Sequence, residues 1–409
     1  MTADISDLAA HTAPWHGIAA SALALDAVAD VPPAPEWGRN LKVAIAHYWL
    51  VGMRGGEKVV EALCDMFPQA DIFTHVYVPE AVSEKIRRHK VTTSFIGRLP
   101  YAGRFYKHYL PLMPLALEHL DLSGYDLIIS SESGPAKGIL APPGAAHLCY
   151  CHSPMRYIWN MRHEYQATSG YPTRLLMPPL AHYLRMWDSA SAARVDHFVA
   201  NSKTVAARIR RYYGRQAAVV VPPVDVGSLE CVGEHEVGDY FLMVGELVAY
   251  KRPELPVQAC NRLGIKLVVI GGGEMLKQIQ KLAGPTVTVM GPQPFDVLRH
   301  HYARCRALIF PGEEDFGIVP VEAMASGRPV IAYGRGGATE TVVPNLTGAF
   351  FHSQTVDAVV DALREFDASA FDPAKIVAHA QNFSIERFVA EMSEQIEQLV
   401  DAPYRAFGR

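Results

Sequence analysis

The sequence predicts an α/β protein built from two doubly wound, Rossmann-like domains in succession. The chain has 409 residues, which exceeds the length that one hydrophobic core usually serves. Short apolar runs alternate with helical patterns along most of the chain, as in a parallel sheet covered by helices. This alternation starts afresh near Tyr240, after a polar stretch. We therefore expect two similar halves.

The first domain is predicted over residues 41–226. A strand at 42–46 is followed by a glycine-rich turn and a helix at 57–64, which is how a doubly wound unit opens. Residues 1–40 are rich in Ala, Pro and Asp and predict an extended N-terminal arm. Further strands are expected at 71–74, 126–130, 146–150, 197–200 and 218–221.

The second domain is predicted over residues 240–384, after a polar linker at 227–239. The tail at 385–409 opens with apolar residues at helical spacing, which predicts a last helix. Strands are expected at 240–245, 266–270, 287–290, 308–310 and 329–332, with helices from about 274 and at 295–304.

Composition excludes several classes of protein. A net charge of −4 and a pI near 6.5 argue against a nucleic-acid binder. The six cysteines form no Cys-x-x-Cys pair, so free thiols in a reducing cytoplasm are expected. The uncharged stretch at 139–155 is interrupted by prolines, so any membrane contact is expected to be peripheral.

Two carboxylates stand eight residues apart in the segment FPGEEDFGIVPVEAMASGRPV. Glu314 lies in the loop after an apolar strand, and Glu322 lies in the helix that begins near Gly317. Free backbone N–H groups at a helix start attract anions. This pattern predicts a site for a phosphorylated, polyhydroxylated ligand, although acidic loops before helices also occur as plain surface charge.

Further candidate residues follow other predicted strands, where open α/β sheets bind their ligands. Gly55 and Gly56 follow the first strand, and Lys251 follows the strand at 240–245. An ordinary tight turn and a solvated helix start are the alternative interpretations. His152 follows the strand at 146–150, although a lone histidine is more often structural.

Together these segments resemble the motifs of retaining glycosyltransferases of family four, which have the GT-B fold. The segment EDFGIVPVE resembles the family's E-x7-E motif. The resemblance implies that Glu314 approaches the donor sugar and that Glu322 holds the nucleotide ribose. It also implies that backbone amides between them receive the diphosphate, at Phe316, Gly317, Ile318 and Val319.

The segment GELVAYK resembles the family's G-R-L-x-x-x-K motif, which makes Lys251 the lysine that neutralises the diphosphate. Glu246 stands where the family commonly has arginine. Arg252 could supply the lost phosphate contact if its side chain turns inward. Gly55 and Gly56 resemble the family's N-terminal glycine loop, where the backbone approaches the diphosphate.

The segment CHSPMRY resembles mannosyltransferases of the bacterial O-antigen and exopolysaccharide type. It implies that His152 contacts the donor sugar, and that Arg156 and Tyr157 contact donor or acceptor. GDP-mannose is the expected donor, with a UDP-hexose as the alternative. The GT-B fold further implies that the two domains face each other across a cleft and that the last helix crosses back to the first domain.

Bond cleavage leaves negative charge on the departing diphosphate, which Lys251, the loop amides and the helix start would stabilise. The sequence shows no aspartate pair with metal spacing, so neither a metal nor another cofactor is expected. The resemblance implies a catalytic set of Glu314, His152 and Lys251. Glu314 would position the donor sugar rather than form a covalent intermediate.

Residues 85–117 contain no Asp or Glu and alternate basic with aromatic and aliphatic side chains. This composition suits the anionic inner face of a cell membrane, where a lipid-diphosphate-linked oligosaccharide would present its sugar. The alternative is a solvated basic face with an apolar underside packed on the core. The basic residues are Lys85, Arg87, Arg88, Lys90, Arg98, Arg104 and Lys107.

The sequence thus predicts a hexosyltransferase that extends a bacterial surface glycan. A nucleotide-sugar 2-epimerase of the same fold is one alternative, because it would use the same donor site without an acceptor. A catalytically silent relative that binds glycan is another, which the departure at Glu246 favours.

Overall fold

The computed structural model describes residues 36–159 and 171–401, without the side chains of residues 171–176. The described residues divide into two compact units, one of residues 36–223 with 388–401 and one of residues 224–387. The predicted N-terminal arm lies outside the described residues except for its last five. In that short piece the Trp37 ring packs edge-on against Phe67, with centroids 6.4 Å apart.

The first unit contains a seven-stranded sheet in the order β3-β2-β1-β4-β5-β6-β7. All of its strand pairs are parallel. The strands are β1 Val43–His47, β2 Asp71–Thr74, β3 Val91–Thr93, β4 Leu127–Glu132, β5 Ala146–Cys151, β6 His197–Ala200 and β7 Ala218–Val219. The helices are α1 Gly55–Met66, α2 Glu84–Arg87, α3 Ala102–Phe105, α4 Met113–Glu118, α5 Tyr171–Ala192 and α6 Lys203–Tyr213.

The second unit contains a six-stranded parallel sheet in the order β10-β9-β8-β11-β12-β13. The strands are β8 Phe241–Val244, β9 Leu267–Ile270, β10 Val287–Gly291, β11 Ala307–Phe310, β12 Val330–Tyr333 and β13 Gly348–Phe351. The helices are α7 Glu254–Leu263, α8 Leu276–Leu282, α9 Phe295–Arg304, α10 Ile318–Ala325, α11 Ala338–Thr341, α12 Val356–Glu365 and α13 Pro373–Ala380.

Central strands of both sheets are buried on both faces, which explains why they read as continuous apolar runs. Every residue of β1, β4, β11 and β12 is buried. Helices pack on these sheets through their apolar stripes, as Val59, Val60 and Leu63 do in α1. The predicted fold class, two doubly wound α/β domains, is therefore confirmed.

The last helix, α14 Ile385–Asp401, crosses back to the first unit as predicted. Phe388 is fully buried and meets Tyr150 of β5 at a centroid distance of 5.6 Å. Further along the helix, the Gln395 side-chain oxygen lies 2.9 Å from Nε2 of His197. From Phe388 onward the helix belongs to the first unit.

Two strands of the structure were absent from the sequence prediction. Strand β3 has three half-buried residues and adds to the sheet beside β2. Strand β13 begins at Gly348, where a Cβ would lie 2.0 Å from the carbonyl oxygen of Val330. Glycine is required there by this close approach, yet in a sequence glycine argues against a strand.

Candidate active site

In the first unit the glycine turn and the histidine loop come together. Gly55 and Gly56 open α1, directly after β1. A Cβ added at Gly56 would lie 3.0 Å from the Tyr48 hydroxyl and 3.6 Å from Nε2 of His152. His152 follows β5, which lies two places from β1 in the sheet. Two of the segments predicted from sequence therefore meet at the carboxyl edge of this sheet.

Buried polar side chains of β1, β4 and α1 form a chain of contacts that begins at His152. Its Nε2 lies 2.8 Å from the Ser131 hydroxyl, which lies 3.1 Å from Nδ1 of His47. On its other side, the His47 ring has Nε2 3.7 Å from a carboxylate oxygen of Glu57. Burial, and then the nearby His47, lower the pKa of His152 to about 3. The imidazole is therefore neutral at physiological pH and suited to hydrogen bonding with a sugar hydroxyl.

In the second unit Lys251 and Glu314 form an ion pair, with Nζ 2.9 Å from a carboxylate oxygen. Lys251 ends a short turn after β8, and Glu314 lies in the loop after β11, the strand adjacent to β8. Their side chains are only 17% and 23% exposed. Burial alone would lower the pKa of Lys251, but Glu314, Tyr250 and Glu246 together outweigh burial and raise it. Lys251 is therefore a fixed cation.

The loop that carries Glu314 is held by a glycine from the next strand's loop. The backbone N–H of Gly337 donates to the Glu314 carbonyl at 2.8 Å. A Cβ at Gly337 would lie 2.2 Å from Cα of Phe316, so only glycine fits this contact. The loop ends at Gly317, which has a φ of 95°, and α10 begins at Ile318. The residues predicted to offer backbone amides, 316–319, thus span the start of this helix.

Glu322 lies just over one turn into α10, and one of its carboxylate oxygens accepts a hydrogen bond from Tyr302 at 2.7 Å. The Tyr302 side chain is fully buried in α9. This buried donor fixes one carboxylate oxygen in place.

The remaining predicted residues have these positions. The Arg252 guanidinium pairs with Glu254 at 2.6 Å. Phe316 buries its ring against Phe383, at a centroid distance of 5.8 Å, so its backbone is the part that could meet a ligand. Arg156 is half-buried in the His152 loop, and the Tyr157 hydroxyl donates to the Met155 sulfur at 3.0 Å.

Sequence reasoning missed the partners of the predicted residues: His47, Ser131 and Tyr302. His47 and Ser131 stand at the ends of β1 and β4 and are fully buried. Polar residues at the carboxyl ends of two adjacent apolar strands are a signal that could have identified them. Tyr302 gives no such signal, because it lies on a helix whose pattern is apolar at that position.

Neither a metal-binding cluster nor a membrane-spanning helix is present in the part of the chain that the structure describes. Among the described residues, no group of three or more His, Cys, Asp or Glu side chains has a geometry that could hold a metal ion. Over the same ranges, no helix combines the length and the hydropathy needed to span a bilayer.

Two family models match the chain. The family description "Glycosyltransferase Family 4" matches residues 53–227, and "Glycosyl transferases group 1" matches residues 232–383. Together the two family models match most of the chain.

Curated relatives include a GDP-mannose-dependent alpha-(1-6)-phosphatidylinositol monomannoside mannosyltransferase of Mycobacterium tuberculosis. It is 39% identical over 115 residues, which cover 25% of this chain and 30% of the relative. A D-inositol 3-phosphate glycosyltransferase of Kribbella flavida is 30% identical over 230 residues, 47% of this chain and 54% of the relative. The chain thus spans between about a third and a half of these two proteins.

Solved structures show the fold. Anabaena HepE in complex with UDP and glucose has a TM-score of 0.66 at 14% identity, over 88% of this chain and 100% of that one. Sucrose-phosphate synthase from Thermosynechococcus elongatus has a TM-score of 0.67 at 21% identity, with the same coverage.

The two family models and the two Rossmann-like units identify the chain as a glycosyltransferase of the GT-B fold. More specifically, the chain belongs to glycosyltransferase family 4.

Proposed function

We propose that this glycosyltransferase transfers mannose from GDP-mannose, with retention of configuration, to a lipid-linked or growing surface-polysaccharide acceptor. The observation that carries the proposal is the ion pair between Lys251 and Glu314, with Glu314 in the loop that leads into α10. A cation and free backbone amides suit the oxygens of the diphosphate, and a carboxylate suits the sugar hydroxyls of a nucleotide sugar.

The charge of Lys251 suits a leaving diphosphate. Glu314, with Tyr250 and Glu246, raises the pKa of Lys251 against the effect of burial, so the ammonium stays charged. In a site of low polarity, such a fixed cation stabilises developing negative charge more strongly than it would in water. The diphosphate would become a second anionic partner of Lys251, while Glu314 would accept hydrogen bonds from the sugar. No protein nucleophile is needed in this scheme.

The choice of GDP-mannose has two supports. One is the sequence motif CHSPMRY at residues 151–157, which resembles a motif of bacterial mannosyltransferases. The other is the 39% identity with the mycobacterial GDP-mannose-dependent enzyme, over 115 residues. His152, neutral and half-buried, is proposed to contact the mannose, with Arg156 and Tyr157 nearby for donor or acceptor.

We also propose peripheral contact between residues 85–117 and an anionic membrane on the cytoplasmic side. The underside of this segment packs on the core through Ile96, Ala102 and Met113. Its outer side exposes apolar side chains, with Tyr101 77% and Leu115 50% exposed. The exposed basic residues of the segment include Arg98, Arg104 and Lys107.

The test is transfer of radiolabelled mannose from GDP-mannose into a lipid-linked oligosaccharide fraction prepared from bacterial membranes. We expect Glu314→Gln to lower transfer at least tenfold, because the amide loses the charge that holds Lys251 and the sugar. Glu274→Gln, an exposed carboxylate in the same unit, is the matched control. Transfer should also survive EDTA, because Lys251 and the amides replace a metal. Equal activity of Glu314→Gln and wild type would contradict the proposal.

A further inference from the structure

A cluster of fully buried ionic groups lies beneath the His152 loop and takes no part in the site described above. Its members are Glu132 at the end of β4, Lys137 in the turn after it, and Asp188 on α5, each fully buried. The Lys137 ammonium donates to one carboxylate oxygen of Asp188 and lies 3.8 Å from Glu132. Buried charges require such pairing.

His152 and Trp159, at the two limits of the described part of the His152 loop, each hydrogen bond to a residue of this cluster. The backbone N–H of His152 donates to the Glu132 carbonyl at 2.7 Å. The indole N–H of Trp159 donates to the second carboxylate oxygen of Asp188 at 2.8 Å. Lys137 joins the two anchor points, because its own backbone N–H donates to the Glu132 carboxylate at 2.7 Å.

The charge state of the cluster is consistent with this arrangement. Burial is the largest cause that raises the pKa of Glu132 to about 8. The Lys137 ammonium opposes this rise, and Asp188 adds to it. At neutral pH Glu132 is therefore mostly protonated. Asp188 accepts hydrogen bonds from the Lys137 ammonium on one carboxylate oxygen and from the Trp159 indole on the other.

We propose that Asp188 and Trp159 are positioning residues, which hold the His152 loop in its active geometry through the hydrogen bond between indole and carboxylate. Arg185 on α5 adds a second tie, since its guanidinium donates to the Ile158 carbonyl at 2.9 Å. The loop contains His152, Arg156 and Tyr157, so the inference rests on the proposed function for its effect on catalysis. Its effect on loop order does not rest on that function.

The chain offers a matched pair of variants. The Tyr213 hydroxyl of α6 donates to the same Asp188 oxygen as Trp159 does, at 2.9 Å. Trp159→Phe and Tyr213→Phe each remove one donor from this oxygen and keep an aromatic ring. Only the first of them removes a hydrogen bond that holds the His152 loop. A merely structural role for the cluster predicts equal effects of the two.

The experiment uses the full chain and two readouts. Hydrogen exchange by mass spectrometry, in peptides covering residues 152–159, should be about tenfold faster in Trp159→Phe and within about twofold of wild type in Tyr213→Phe. With GDP-mannose as substrate, Trp159→Phe should lower kcat about tenfold with KM little changed, whereas Tyr213→Phe should keep both.

Equal exchange in the two variants would overturn the inference, as would an unchanged rate in Trp159→Phe. If wild-type protein fails to turn over GDP-mannose, the proposed donor is wrong. The exchange comparison then still decides whether Trp159 orders the loop.

Discussion

Glu132 shows at the scale of one residue how burial shapes stability. Its pKa is raised from 4.5 to about 8, chiefly by burial. Between these values the folded protein keeps a proton that the unfolded chain has lost. The free energy of unfolding therefore falls as pH rises across this window, by at most about 1.4 kcal/mol per pH unit.

Four of the described histidines oppose this trend at lower pH. Burial lowers the pKa of His75 to about 3, of His147 to about 4 and of His152 to about 3, and it also lowers the pKa of His301. The unfolded chain binds their protons below about pH 6.5, so they favour the folded state more as pH rises toward that value. Between about pH 6.5 and 8 the Glu132 contribution is left to dominate.

We predict that the melting temperature of the wild type falls from pH 6.5 to pH 8 and that Glu132→Gln flattens this fall. The glutamine keeps an acceptor for the Lys137 N–H but has no proton to lose. Differential scanning calorimetry at several pH values provides the measurement. The exposed variant Glu80→Gln controls for the loss of one charge. If the melting temperature of Glu132→Gln falls with pH as steeply as that of the wild type, Glu132 is not the source of the pH dependence.

Gly337 gives a second prediction at this scale. In Gly337→Ala the new Cβ would overlap Cα of Phe316 at 2.2 Å, so the loop with Glu314 must shift. We expect a loss of about 1–3 kcal/mol of stability, as for overpacking, together with weaker binding of GDP-mannose. Isothermal titration and thermal unfolding measure the two effects.

Gly227→Ala is the control for Gly337→Ala, since the nearest atom to its Cβ lies 3.9 Å away. Wild-type affinity in Gly337→Ala would mean that the loop does not depend on this contact.

Sequence reasoning at this scale located residues better than it located contacts. The spacing of Glu314 and Glu322 and the position of Lys251 after a strand were readable from the order of the residues. The Lys251–Glu314 ion pair was not, because it depends on the adjacency of β8 and β11, which are far apart in the chain. Arg252 likewise gave no sign that it would pair with Glu254.

At the scale of elements, the strands buried on both faces were predictable and the marginal ones were not. Apolar runs such as those of β4 and β11 identify themselves. Strand β3 is three residues long and half-buried, so its pattern does not differ from that of a loop. Helix α14 was predictable from its spacing, but its packing on the first unit followed from the family resemblance alone.

The segment 85–117 is predicted to bind anionic membranes through its basic side chains. Arg98→Ala, Arg104→Ala and Lys107→Ala together should weaken binding to vesicles of anionic phospholipid about a hundredfold, because each basic residue near the surface contributes on the order of 1 kcal/mol. Vesicle sedimentation measures this binding.

A matched triple variant removes the same charge elsewhere, through Lys266→Ala, Lys277→Ala and Lys281→Ala, which are exposed in the second unit. If both triple variants lose binding equally, the effect is one of net charge and the segment has no special role.

For the molecule as a whole, transfer and epimerisation differ in that only transfer needs an acceptor. A family 4 glycosyltransferase should leave the sugar of GDP-mannose unchanged when no acceptor is present. Chromatography of the nucleotide sugar after incubation with the protein alone checks this expectation. An epimerised product would replace the proposed transfer by the alternative activity.

Lys251 and the amides at the start of α10 are proposed to hold the diphosphate of a nucleotide sugar. A thermal-shift comparison of GDP-mannose with UDP and ADP sugars tests this claim most directly, because a ligand that binds the folded state raises the melting temperature.

We predict that GDP-mannose stabilises the wild type most. Lys251→Met should bind it about ten- to a hundredfold more weakly, as expected when a charge-assisted contact is lost, while the exposed control Lys281→Met should bind it normally. Equal stabilisation of wild type and Lys251→Met, or no stabilisation of the wild type by any of these sugars, would contradict the claim.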